Sequence, residues 1–181
     1  MVGLRFLAPS IGVRIPAGQH LRKKFLTTEK HQNMQYIATI EIPKGSDRRI
    51  HMSYDKSGFI DLGPIKEHIP VNEGVMPVHY GYIEGTVNKE EGDEVDVIVF
   101  SKNPYNTGDK VEIEILGSFV RKDGDHKIIA HDGSEANSAF DDLSEMDRKL
   151  IMDYMGHKSP IISVDTRERA LEYVKNSEVK V

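Results

Sequence analysis

The sequence predicts a mainly β fold with flanking helices (α+β), its short strands forming a small closed barrel. Two observations carry this. Through the first two thirds of the 181 residues, brief runs of β-branched and aromatic residues are separated by clusters of Gly, Asp, Asn and Pro. Helical periodicity begins only in the last third. Neither an internal repeat nor a low-complexity linker interrupts the chain, so a second domain is not expected.

The first strand spans Tyr36 to Ile42, and Arg49 to Tyr54 reads as the next, with Asp55-Lys56-Ser57-Gly58 turning the chain into Phe59-Ile60. In His79-Tyr80-Gly81-Tyr82-Ile83, alternation puts Tyr80 and Tyr82 on one strand face. Val95 to Phe100, Val111 to Leu116, Phe119-Val120 and Ile128 to Ala130 continue the pattern, divided by Asn103 to Gly108 and by the Asp123-Gly124 turn. Leu143, Met146, Leu150, Ile151 and Tyr154 then form an apolar helical stripe, with Asp142 and Glu145 at capping-box spacing; this helix is expected across the barrel. A second helix from Asp165-Thr166-Arg167-Glu168 onward repeats that spacing and buries Ala170, Leu171 and Val174.

Composition narrows the function. With 38% hydrophobic and 29% charged residues the chain reads as a soluble globular protein, and its apolar runs are too short to span a bilayer, so no membrane partner is expected. The absence of cysteine excludes disulfides and thiolate metal sites; any metal must be held by carboxylate, imidazole, carbonyl or water, which suits a reducing, cytoplasmic compartment. Residues 1 to 30 hold six basic side chains against the single acid Glu29, so removing them from totals of 24 and 29 leaves 18 against 28, a net charge of −10. That balance argues against a nucleic-acid partner and for one that arrives with cations. Residues 1–33 read as an N-terminal extension of open status, either a transit peptide, giving an organellar destination, or a leader from a start upstream of Met34. Residues 34–181 read as one domain.

The most informative stretch is Glu91-Gly92-Asp93-Glu94-Val95-Asp96-Val97-Ile98-Val99-Phe100, where acids run straight into a strand. Asp96 shares a face with Ile98 and Phe100, Val95, Val97 and Val99 take the other, and neither face reads as solvated. A buried carboxylate costs several kcal/mol unless a cation meets it. Glu91, Asp93 and Asp96 repel one another unless protons or metal ions intervene, and Mg2+, with its preference for oxygen ligands, suits them. An acidic turn before an ordinary strand is the alternative.

Three further segments, Ile40-Glu41-Ile42-Pro43, Tyr80-Gly81-Tyr82-Ile83 and Asp123-Gly124-Asp125-His126-Lys127, complete a combination that resembles family I inorganic pyrophosphatase. The resemblance covers about Glu41 to Lys158. It implies a five-stranded OB-like barrel with flanking helices, pyrophosphate as substrate, self-association into a homo-oligomer, and Mg2+-dependent hydrolysis in which two metals activate water and clamp phosphoryl oxygens. On that resemblance Asp93 and Asp96 are metal ligands, Asp93 is also the general base, and Glu91 stands where aspartate is usual. Asp123 and Asp125 match the later metal pair, Glu41 orders water, and Lys127, Tyr80 and Tyr154 contact phosphate. Each residue also has a plainer reading: Asp123 and Asp125 as turn residues, Lys127 as an exposed ion partner, Tyr80 and Tyr154 as core aromatics.

Departures from the pattern concern the phosphate side. Where the resemblance expects lysine early in the second strand, either His51 or Ile50 stands; Leu62 replaces an arginine, and Met155 a lysine. His51 can donate to phosphate as imidazole, Lys66 can substitute from its loop, and Lys158 can do so if the helix ends before it. His79 reads as structural. The alternative function is a pyrophosphatase-like barrel that is non-catalytic or acts on another phosphoanhydride.

Overall fold

Short β-branched segments pair mainly into one sheet in the computed structural model, which describes residues 35–134 and 140–179. Its strands are β1 (Tyr36–Ile42), β4 (His79–Ile83), β5 (Asp96–Phe100), β6 (Lys110–Arg121), β7 (Lys127–His131) and β8 (Ile161–Asp165), while β2 (Arg48–Met52) and β3 (Phe59–Pro64) form a separate hairpin. The sheet runs β1-β4-β5-β7-β6-β8, and β1 also pairs with β6. All neighbours are antiparallel except β5 and β7. Two helices, α1 (Glu145–Met155) and α2 (Arg167–Ser177), complete the chain's mainly β architecture.

Alternation along β5 divides the core as the sequence predicts. Val95, Val97 and Val99 join Ala38, Ile40, Ile113 and Ile128 in one buried cluster, which Ala170 and Val174 of α2 help to cover. Ile98 and Phe100 face the other, built with Phe119, Ile129 and Ile151, Tyr154 and Met155 of α1. Each side chain removed from water contributes roughly 1.5–3 kcal/mol, enough to hold both faces of a five-residue strand.

Local chemistry corrects several boundaries. Ser144, not Asp142, caps α1: its hydroxyl accepts the Asp147 N–H at 3.1 Å and donates to the Asp147 carboxylate at 2.7 Å, while Asp142 closes a single 3-10 turn. Only the C-terminal half of α1 meets the core, which leaves Met146 81% exposed despite its place on the apolar stripe. Thr166 precedes α2 without a side-chain cap. The two predicted strands 111–116 and 119–120 are one, β6, interrupted by a bulge between Ile115 and Gly117. Its partner β8 escaped sequence reading because its residues are mostly exposed, so no buried face marks them. The expected extension 1–33 lies outside the described residues.

Candidate active site

Seven strands, β1 to β7, contribute side chains to one cleft of about 950 Å³. Glu41 arrives through a bulge: Ile40 faces Gly81 and Ile42 faces Tyr80, so Glu41 is the extra residue on β1. Its buried carboxylate accepts the Met52 N–H at 2.6 Å and lies 3.5 Å from His51 Nδ1, tying β1 to the β2–β3 hairpin. Asp96 opens β5 and Lys127 opens β7; because these strands are parallel, with Val97 beside Ile128, their first residues lie side by side.

Lys127 is buried, contrary to the exposed-partner reading, and its ammonium bonds Asp96 and lies 2.5 Å from Asp125 Oδ2. Tyr80 donates its hydroxyl to Asp96 Oδ2 at 2.5 Å, and Lys127 Nζ sits 5.7 Å from the Tyr80 ring centre. Burial opposes the Lys127 charge, yet Asp96 and Asp125 overcome it and hold its pKa above the ordinary value. Burial, with Asp96 adding to it, pushes the Tyr80 phenol well up, so the phenol keeps its proton and donates.

The β6–β7 turn is both a turn and part of this centre. Gly124 N–H bonds the Arg121 carbonyl at 3.2 Å, and Gly124 holds φ +84°, a left-handed value glycine adopts without strain. The Arg121 guanidinium, 5% exposed, spans the turn's two acids, donating to Asp123 Oδ2 and to Asp125 Oδ2 at 2.7 Å each. Asp125 Oδ1 is buried without a hydrogen-bond partner among the described residues.

Glu91 and Asp93 lie in the loop before β5, exposed at the cleft wall. Asn88 N–H bonds the Asp93 carbonyl at 2.6 Å, and Gly92 N–H the Asn88 carbonyl at 2.7 Å, which folds the loop back toward the turn of β6 and β7. One carboxylate oxygen each from Glu91, Asp96 and Asp125 lies within 4.8 Å of the others. Burial, then the Asp125 charge, raises the Glu91 pKa; burial, then Asp96, raises that of Asp93; burial raises that of Asp125 against the pull of Lys127. Three carboxylates, of which Asp125 keeps a buried oxygen unpartnered among the described residues, are the oxygen-donor chemistry a hard divalent cation requires. Of the predicted acids, Asp93 borders this triad and Asp123 is turned onto Arg121.

The other predicted residues divide. Tyr154 lines the cleft while fully buried among core side chains, with a hydroxyl that lacks a hydrogen-bond partner among the described residues and a pKa that burial pushes up to about 12. His51 faces the cleft, whereas His79 is structural: its Nδ1 accepts the Lys44 N–H at 3.1 Å and its ring stands edge-on to Tyr105. Lys66 lies outside the cleft lining, 4.0 Å from Glu73. Lys158, expected there if the helix ended before it, lines the cleft, and so do three cations outside the predicted set: Arg49, Lys56 and the Arg121 already described. Burial, then Arg49, Lys127 and Arg121 in that order, lowers the Lys158 pKa, the mark of clustered positive charge. Arg49 was legible, being two residues from His51 on the same strand and so on the same face. Lys158 enters the cleft because α1 stops at Met155.

The inorganic pyrophosphatase family model matches residues 38–176. Among curated proteins, the inorganic pyrophosphatase of Rickettsia prowazekii is 30% identical over 149 residues, covering 71% of this chain and 77% of that protein; that of Neisseria meningitidis serogroup B is 32% identical over 117 residues, covering 61% and 62%. The matches thus span from about three fifths to about three quarters of those relatives' lengths. Among solved structures, the inorganic pyrophosphatase of Neisseria gonorrhoeae superposes with a TM-score of 0.67 at 24% identity, covering 85% of this chain and 95% of that one. The Thermus thermophilus structure gives 0.66 at 21% identity, covering 90% and 94%, and both establish likeness of fold. With its cleft of carboxylates and clustered cations on that fold, the chain belongs to the inorganic pyrophosphatase family, as a divergent member.

Proposed function

We infer that the cleft binds inorganic pyrophosphate and hydrolyses it to two phosphates with a divalent cation, Mg2+. The observation that carries this is a pairing of opposites: Glu91, Asp96 and Asp125 converge within 4.8 Å, and Arg49, Lys127 and Lys158 line the same cleft. A polyanion needs the second set and a hard cation the first.

Glu91, Asp96 and Asp125 would hold the metal, with Asp93 beside them. When bound, the metal neutralises phosphate charge and makes water more acidic. Asp93, exposed to the cleft and with its proton affinity raised by burial and by Asp96, accepts the proton as the water oxygen bonds phosphorus and the bridging P–O bond breaks. Glu41, fixed by the Met52 N–H, orders solvent. Arg49, Lys158 and His51 meet the outer phosphate oxygens, Lys127 would contact phosphate if a metal held by the acids relieved it of Asp96 and Asp125, and Tyr80 and Tyr154 present phenols from the apolar wall.

The same reading covers architecture and setting. The pairings β1-β4-β5-β7-β6 return to β1, supporting a five-stranded OB-like closed barrel within a single domain of residues 34–181. Self-association and a cytoplasmic location, the latter suited by a cysteine-free chain, belong to it as well. Among the described residues no helix is long and apolar enough to cross a membrane.

Phosphate release from pyrophosphate, measured with and without Mg2+, tests the function. Release that requires Mg2+ is expected; none under any divalent metal would leave a non-catalytic barrel.

A further inference from the structure

Large hydrophobic side chains left in water gather at the cleft. Among the described residues eight are exposed, and four of them, Tyr54, Ile60, Leu62 and Val87, line it. Ile60 pairs with His51 across β2 and β3, so the hairpin face that carries His51 also carries Ile60 and, two residues on, Leu62. The cleft opens as well on Ile42, Ile65, Met76 and Met155 of the core cluster that α1 completes. One part of the lining is thus aliphatic and another charged. Pyrophosphate has no apolar surface to set against the first, and at about 950 Å³ the cleft has the size that encloses a drug-sized molecule. Among the described residues its lining includes no side-chain amide and no aliphatic hydroxyl, so the neutral donors and acceptors suited to a base or a sugar are missing.

We propose that the cleft also accepts diphosphates esterified to an alkyl chain, the chain lying against Ile60 and Leu62 while the diphosphate occupies the charged part. The proposal rests on the hydrolytic reading above and extends it to a second substrate class. Water bonds the terminal phosphorus and the bridging P–O bond breaks. Asp93 takes the water proton and passes it to the departing alkyl monophosphate, which leaves with inorganic phosphate. Leu62 sets the specificity: the arginine that the resemblance expects there would place a charge where the chain lies.

Phosphate release in Mg2+ from pyrophosphate and from methyl, butyl and octyl diphosphate tests this. Octyl diphosphate should be hydrolysed, and kcat/KM should rise along the series by up to about fourfold for each methylene that reaches the wall. ADP, with a polar nucleoside in place of the chain, should be a poorer substrate than octyl diphosphate. Leu62 is 43% exposed, so Leu62→Arg should fold. It should lower kcat/KM for octyl diphosphate at least about tenfold, the scale of an altered hydrophobic pocket, and flatten the series, while pyrophosphate hydrolysis does not fall. Pyrophosphate hydrolysis without release from octyl diphosphate, a rate independent of chain length, preference for ADP, or an unaltered series in Leu62→Arg would overturn the proposal and leave the pyrophosphatase reading standing. No release from any of these substrates would sink both.

Discussion

Asp93 and Asp96 differ in what surrounds them more than in their chemistry. Asp96 has Oδ2 bonded by both Tyr80 and Lys127, so it is a holder of charge. Asp93 is exposed in the cleft with burial and Asp96 both raising its proton affinity, so it is the carboxylate able to take a proton from water. Asp93→Asn should lower turnover by about 10²–10⁴-fold, the usual contribution of a positioned base. Metal-dependent stabilisation should largely survive, because Glu91, Asp96 and Asp125 are untouched. Pyrophosphate hydrolysis by Asp93→Asn at the parent rate would show that another group takes the proton; Glu91→Asp, which restores the residue usual by resemblance, serves as the active control.

Between the elements, the approach of β1 to β4 sets the position of Glu41 and Tyr80 together. A Cβ placed on Gly81 would lie 1.9 Å from the Thr39 carbonyl oxygen, so only glycine lets the two strands close beside the Glu41 bulge. Gly81→Ala must push the strands apart and should cost about 1–3 kcal/mol or more, the range for forced overpacking. The midpoint of urea denaturation measures this, and because Tyr80 and Glu41 move with their strands, activity of the folded fraction should fall too. A variant as stable and active as the parent would mean that β1 and β4 relax without disturbing the cleft. The bulge itself was not legible in Ile40-Glu41-Ile42, since strict alternation is all that a period of two can report.

Across the whole molecule the cleft is assembled from segments far apart in sequence, so Asp125 meets Glu91 and Asp96 only once the chain folds. Mg2+ should therefore raise the melting temperature, by an amount equal to about 2.7 kcal/mol when its concentration is 100 times the dissociation constant. Asp96→Asn should abolish most of that shift; an unchanged melting curve at millimolar-range Mg2+ would contradict the metal site altogether. Such coupling also shows where sequence reading ends. The sequence by itself determined the β-rich class, the two-faced burial of β5, the strand Tyr36–Ile42 and the acidic inventory, because each is a local pattern of apolar period and charge. Tertiary structure alone decided that Lys127 is buried beside Asp96 rather than exposed, and that Asp123 faces Arg121 rather than the triad. It also decided that α1 stops at Met155, so that Lys158 joins Arg49 in lining the cleft that Leu62 and Met155 line without charge. These are outcomes of which strands pair and in which direction, and a pairing between residues 31 positions apart, as for Lys127 and Asp96, leaves no trace in the periodicity of either segment.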